Sequence, residues 1–366
     1  MVRINRYQLR VLATLARTGM VRPARPDRAL RALNVLRRWG PSLSSGYMIA
    51  AIRYPHRPGL VDERGTLTFS EIDKRSTALA NALREHGVSE GGGLAVMCRN
   101  HRGFVESTVA AAKLGADLLY LNTEFGAPAI AGVLEREHPA VLIYDEEFTN
   151  LIAEGAADMT RFVASYEPGA PLIDRPLEDL IGHAATSVPD PPARRGRVVI
   201  LTSGTTGAPK GAMRRPPETL EPAASVFSCI PMRALETTVI AAPLFHSWGF
   251  AHFALSQPLS GTIILRRRFD PEETLRAVAH HRASTLVVVP VMLQRILELP
   301  LDTIRRYDLG CLRIIASSGS ALPGELATRV MDTFGDVLYN LYGSTEVAWV
   351  TIASPSDLRA APGTAG

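Results

Sequence analysis

Lysine is nearly absent from this chain. Of its 40 basic residues only Lys74, Lys113 and Lys210 are lysines, which leaves 37 arginines. Cysteine is as scarce. Cys98, Cys229 and Cys311 are odd in number, far apart and in no ligand spacing, which argues against a disulfide scaffold or a cysteine metal site and suits a reducing compartment. No apolar run reaches the roughly 18 residues of a membrane span, and the N-terminus lacks the continuous apolar stretch of a secretory signal. The expected location is cytoplasmic. Acidic residues are almost missing from the first 40 positions, where ten arginines face Asp27 alone for a net +9. The whole chain carries +4, so the remainder sums to −5. The basic balance therefore belongs to a leader, and a nucleic-acid partner is not expected.

Within the leader, Ile4, Tyr7, Val11 and Leu15 recur at helical spacing, and Leu30, Leu33, Leu36 and Trp39 do the same after a break at Arg22-Pro23 and Arg25-Pro26. Residues 1–40 thus predict basic amphipathic helices. Such segments suit peripheral contact with the inner, anionic face of a membrane; two helices packed on the body with solvated arginines satisfy the same pattern. Beyond them, Leu60–Asp62 and Thr66–Thr68 read as a hairpin, and Ser70-x-x-Asp73 as the cap of the following helix. From Gly91 onward short apolar strands alternate with helical patterns: strands at 94–98, 118–121 and 141–144, helices at 103–115 and 127–137. That rhythm predicts an α/β fold with layered, parallel-rich sheets covered by helices on both faces. Residues 185–196 hold three prolines and no apolar period, so the expected division is a leader at 1–40, a first subdomain at 41–184, a linker at 185–196 and a second subdomain at 197–366. Further strands are expected at 239–242, 262–265, 286–289, 313–316 and 337–339.

The densest chemistry follows the apolar run Arg197–Ile200. Thr202-Ser203-Gly204-Thr205-Thr206-Gly207-Ala208-Pro209-Lys210-Gly211 contains four hydroxyls, three glycines and one of the three lysines. Glycines let backbone N–H groups approach a ligand, hydroxyls donate to phosphate oxygens, and an ammonium supplies a point charge. The composition points to polyphosphate. It is not a Walker A motif, because no hydroxyl follows the lysine. Three more stretches end strands with ligand-type residues: Pro243-Leu244-Phe245-His246-Ser247-Trp248-Gly249, Ala316-Ser317-Ser318-Gly319-Ser320-Ala321, and Asn340-Leu341-Tyr342-Gly343-Ser344-Thr345-Glu346. In open α/β sheets ligands gather beyond strand C-termini.

The unaltered Ser-Gly-Thr-Thr-Gly-x-Pro-Lys-Gly core and the Tyr-Gly-x-Thr-Glu run resemble signatures of the adenylate-forming (AMP-binding) superfamily, in its fatty-acyl-CoA ligase branch. The resemblance covers about residues 60–354 and implies that superfamily's large N-terminal domain. It implies ATP, Mg²⁺ and CoA, and activation of a fatty or other apolar carboxylic acid, aryl acids included, to acyl-adenylate and then acyl-CoA. Lys210 with Ser203, Thr205 and Thr206 would hold the β- and γ-phosphates, within a loop that also includes Thr202, Gly204 and Gly207. Thr345 would meet the α-phosphate, Tyr342 the adenine, and Glu346 the metal. Asn340 and Gly343 belong to the same nucleotide-binding stretch, and Gly319, Ser320 and Ala321 to a pocket-forming turn. His246 would gate the acid, and the uncharged Phe245, Ser247 and Trp248 around it suit an apolar tail. The superfamily continues past this stretch with a Thr-Gly-Asp segment, a hinge and a small domain bearing a lysine, whereas the chain stops 20 residues after Glu346. The resulting expectations are a truncated large domain, without the small C-terminal domain and of little activity alone, or a non-catalytic remnant that binds ATP or acid.

Replacing Lys210 with Ala should weaken ATP binding while the far-ultraviolet circular dichroism stays unchanged; equal nucleotide affinity in titration calorimetry would contradict the loop assignment.

Overall fold

The computed structural model describes residues 5–202, 210–214, 218–344 and 349–366. They fall into two compact units, Pro26–Glu218 with Leu244–Ser247, and Thr219–Pro243 with Trp248–Gly366 and Met1–Arg25.

The unit built on residues 26–218 opens with helix Pro26–Trp39, packed on helix Leu43–Arg53 through Val35, Trp39 and Met48. The second of these helices has no charged face and so no readable amphipathic period. The hairpin β1 (Pro58–Asp62) and β2 (Gly65–Thr68) pairs antiparallel, as its turn residues predict. The helix after it, Phe69–Glu85, is capped two residues earlier than expected. The Thr68 hydroxyl accepts from Glu71 N–H, and the Glu71 carboxylate accepts from Thr68 N–H at 2.7 Å. Both Thr68 and Ser70 begin a hydroxyl-x-x-acid pattern, and the strand ending at Thr68 selects the first.

Seven further strands form one sheet: β3 (Gly93–Met97), β4 (Asp117–Tyr120), β5 (Val141–Asp145), β6 (Thr160–Ser165), β7 (Arg175–Pro176), β8 (Val198–Thr202) and β9 (Lys210–Arg214), in the order β7-β6-β5-β3-β4-β8-β9. All neighbours are parallel except β8 and β9. Helices Arg102–Leu114 and Ala127–Glu137 make crossovers, and Met97, Leu119, Leu142, Tyr144 and Val199 share one buried cluster. The crossover helices are legible because apolar runs on both sides demand them.

The unit built on residues 219–366 repeats the principle. Its strands are β10 (Thr237–Ile240), β11 (Thr262–Leu265), β12 (Thr285–Val288), β13 (Ile314–Ser317), β14 (Leu338–Tyr342) and β15 (Thr351–Ala353), ordered β15-β14-β13-β12-β10-β11. Only β15 runs antiparallel to its neighbour. Residues of β11, β12 and β13 are buried along their whole length, as strands covered on both faces must be. Together these sheets make the expected α/β fold with helices over parallel-rich sheets. Helix Arg6–Arg17 belongs to this unit and packs on Glu221–Cys229.

Residues 185–196 are held by side chains around them. Asn81 Nδ2 donates to the carbonyls of Ala185 and Ser187 at 2.7 and 3.0 Å, and Arg195 donates to the Pro41 carbonyl. The segment delivers the chain to β8 through a narrow contact, since a Cβ on Gly196 would lie 1.8 Å from the Ala116 carbonyl oxygen. Next door, the Asp117 carboxylate accepts from Arg197 N–H at 2.8 Å, Arg197 Nε at 2.9 Å and Arg194 at 3.2 Å. Burial alone would raise the Asp117 pKa, but the hydrogen bonds and charge of Arg197 outweigh it and hold the carboxyl below its usual range. A depressed carboxyl pKa adds stability above the unfolded-state value, which is lost as pH falls through the folded one. Asp117→Asn should therefore cost about 2 kcal/mol at neutral pH, discounted for the half-exposed arginines. It should also flatten the acid limb of the stability curve; chemical denaturation as a function of pH measures both effects, and an unchanged acid limb contradicts the assignment.

Candidate functional site

Parallel pairing sends every strand of a unit's parallel run out on the same edge, and the candidate residues lie along these edges. In the 26–218 unit, β8 ends at Thr202 and β9 begins at Lys210, with Thr202 and Lys210 paired across the ladder. The stretch read as phosphate-binding thus falls, in sequence, between two strands that pair antiparallel. Nothing in the residues after Lys210 announces β9, because Gly211-Ala212-Met213-Arg214 has little strand-forming pattern; pairing with β8 decides it. Ser203, Gly204, Thr205, Thr206 and Gly207 lie outside the described residues, as do Thr345 and Glu346.

On the same edge, the turn after β3 carries Asn100, whose side-chain oxygen accepts from the buried Leu244 N–H at 2.8 Å. This contact fixes the turn that presents His246. The imidazole is half-buried, its ring 4.5 Å from the Phe245 ring. Burial lowers its pKa below the ordinary value, and the charge of Glu124, which follows β4, opposes that only in part. A neutral ring suits a steric and hydrogen-bonding gate better than a charged partner. Reading strand ends for polar residues had found His246 but passed over Asn100 and Glu124, although Met97-Cys98-Arg99-Asn100 shows the same apolar-to-polar break.

In the 219–366 unit, β13 and β14 pair with Ser317 opposite Asn340. Their C-terminal extensions therefore leave side by side. One carries Gly319, Ser320 and Ala321, all exposed, with Gly319 at φ +94°, a conformation that favours glycine. The other carries Tyr342, 61% exposed, then Gly343. Asn340 is buried and donates to the Thr364 carbonyl at 3.2 Å, so its amide anchors the terminal segment. Exposed aromatic face, glycine turn and backbone groups at one strand edge are the parts a flat heterocycle needs.

Helix Ser247–Ser256 starts against the end of β10. A Cβ on Gly249 would sit 2.3 Å from the Pro243 carbonyl oxygen, so only glycine fits there. Trp248 Nε1 donates to the Val288 carbonyl at 3.0 Å, and one turn later His252 is completely buried with its ring edge-on to Trp248 at 4.5 Å. Burial pulls the His252 pKa down to about 3, so the ring is neutral at any physiological pH.

Among the described residues one group could hold a metal by type: Cys98, His101 and Asp145, all buried, with one donor atom each within 4.8 Å of the others. Its donors are already used. His101 Nε2 meets Asp145 Oδ1 at 2.7 Å, His101 Nδ1 accepts from Gly103 N–H, and Asp145 Oδ2 accepts from Arg99 N–H. The cluster caps helix Arg102–Leu114 and is structural. Asn100→Ala should cost about 1–3 kcal/mol, since it strands a buried N–H, and should shift the His246 ring resonances; nuclear magnetic resonance with denaturant titration checks both.

Comparison with known proteins bears on the family and the fold. Feruloyl-CoA synthase from an Amycolatopsis species is 32% identical over 297 residues, covering 80% of this chain and 57% of that protein. Indoleacetate–CoA ligase from Aromatoleum aromaticum is 27% identical over 321 residues, covering 86% and 61%. The chain thus spans less than two thirds of these relatives' length. In structure, the inhibitor-bound N-terminal domain of FACL13 from Mycobacterium tuberculosis matches with a TM-score of 0.77 at 22% identity, covering 89% of this chain and 82% of that one. The o-succinylbenzoate CoA synthetase of Bacillus subtilis, solved with its acyl-adenylate intermediate, matches at 0.73 and 24%, covering 88% and 63%. Residues 49–366 match the AMP-binding enzyme family; the chain belongs to that family.

Proposed function

We propose that this chain supplies the ATP- and acid-binding part of an acid–thiol ligase that activates an apolar carboxylic acid to its acyl-adenylate and passes it to CoA. The observation that supports the reading is the parallel-strand edge at which β8 ends with Thr202 and which also bears Asn100 and His246; in sequence the hydroxyl-and-glycine run 203–207 begins directly after Thr202. In the first half-reaction a carboxylate oxygen attacks the α-phosphorus of ATP and pyrophosphate leaves. In the second the CoA sulfur attacks the acyl carbon, loses its proton, and AMP departs with the bonding pair.

The barrier is electrostatic, because an anion must approach a polyanion. Catalysis is therefore mainly positioning and cationic stabilisation. Lys210 and the hydroxyls of Ser203, Thr205 and Thr206 hold the β- and γ-phosphates, Thr345 the α-phosphate, and Tyr342 the adenine beside Gly319, Ser320 and Ala321. The donor set also suits Mg²⁺: a single carboxylate, Glu346, leaves the remaining positions to phosphate oxygens and water, and the ion would supply charge neutralisation at the phosphates. His246 closes over the acid as a neutral group.

The identity of the acid follows from two considerations. No charged residue adjoins His246 in sequence, which suits an apolar tail of any shape. The feruloyl and indoleacetate specificities in the relatives' names favour an aryl acid, with a fatty acid as the second reading. Pyrophosphate exchange into ATP should therefore depend on added acid, with ferulate or indoleacetate driving it faster than palmitate. Faster exchange with palmitate would select the fatty-acid reading, ATP binding without exchange on any acid would reduce the chain to a binding module, and phosphate release without AMP would overturn the proposal.

A further inference from the structure

Large apolar side chains that remain exposed are concentrated in the leader. Seven of the fourteen among the described residues fall between Tyr7 and Leu36. Each leader helix already has a face that holds it to its own unit. On Arg6–Arg17 that face is Leu15 with the half-buried Val11; on Pro26–Trp39 it is Val35 and Trp39. The residues left outside form a second apolar stripe on each helix. Leu9 and Leu12 are 54% and 52% exposed, and Leu30 and Leu33 are 69% and 63% exposed, with Leu36 beside them. At about 100° per residue, Arg6, Arg10 and Arg17 adjoin the first stripe, Arg31 and Arg38 flank the second, and Arg37 lies at its C-terminal end.

A helix that only packs on its own fold needs one apolar stripe. We propose that residues 6–39 dock on an anionic phospholipid bilayer, with Leu9, Leu12, Leu30, Leu33 and Leu36 at headgroup depth and the flanking arginines on lipid phosphates. Charge complementarity selects this occupant. The first 40 residues carry +9 against −5 elsewhere, so a second leader would be repelled. Each stripe runs two or three turns and lacks the sustained heptad seam of a coiled coil. The stripes also sit on helices attached to different units, and a fluid surface can accept each helix separately. No helix among the described residues is long and apolar enough to cross a membrane, so the contact is peripheral. Trp39, the residue that sequence reading would choose as an interfacial anchor, is buried against Met48 and takes no part.

The test is flotation of the full chain with vesicles of phosphatidylcholine alone or mixed with phosphatidylglycerol. The chain should float with the mixed vesicles, stay behind with the neutral ones, and be released by high salt. The variant L30Q/L33Q/L36Q should lower the bound fraction at least about tenfold with Tm unchanged, and R31Q/R37Q should act in the same direction. Equal flotation of wild type and both variants, or equal binding to neutral vesicles, would overturn the proposal. So would a drop in Tm of the leucine variant, which would place the stripe inside the fold. A wild type that ignores vesicles and sediments as a dimer would assign the stripe to a second copy instead.

Discussion

Parallel strand pairing is the constraint from which the candidate site follows. A parallel strand cannot be joined to its neighbour by a tight turn, so a helix must carry the chain back and each strand must leave the sheet at the same edge. In the 26–218 unit that edge gathers Asn100 after β3, Glu124 after β4 and Thr202 at the end of β8, where the hydroxyl-rich stretch begins in sequence. In the 219–366 unit it gathers the turn after β13 and the Tyr342 extension of β14. Chemistry dispersed over 250 positions of sequence is thereby sorted onto two strand edges.

Ion pairs, buried or partly buried, tie the elements behind those edges together. Asp117 locks the start of β8 to β4 through Arg197. Asp62 of β1 receives the guanidinium and backbone N–H of Arg102, the first residue of the helix after β3. Burial opposes ionisation of Asp62, and the hydrogen bonds and charge of Arg102 outweigh it, so the carboxyl lies below its usual range. Lys113, fully buried, donates to the Asp73 carboxylate at 2.7 Å and the Asp73 carbonyl at 2.9 Å. Arg75 spans Glu106 and Glu178. Removing one partner of such a pair strands a charge in low dielectric, which costs far more than the intact pair contributes. Two of the three lysines in the chain thus have readable assignments, Lys113 to the core and Lys210 to the proposed phosphate contact.

Much of the fold was legible. Strands such as Val141–Asp145 and Thr262–Leu265 are continuous apolar runs, and the helix Ala127–Glu137 falls where its spacing places it. Among those that escaped were elements whose stability comes from a neighbour: β6, β9, the short β7 and β15, and the helix Leu43–Arg53, which has no exposed face. The leader was legible as two basic helices, but which apolar residues face inward was not. Leu30, Leu33, Leu36 and Trp39 share one spacing, yet only Trp39 is buried, because Met48 lies on that side.

The amino-acid sequence by itself determined most of the elements, the α/β class and the family, since apolar period, turn chemistry and short motifs act over a few residues. Tertiary structure alone decided that Lys210–Arg214 pairs with β8, that Asn100 grips Leu244, and that Asp117 anchors β8. These depend on hydrogen bonds between separate elements, in the last two cases between residues 144 and 80 positions apart, and such contacts leave no local period to read.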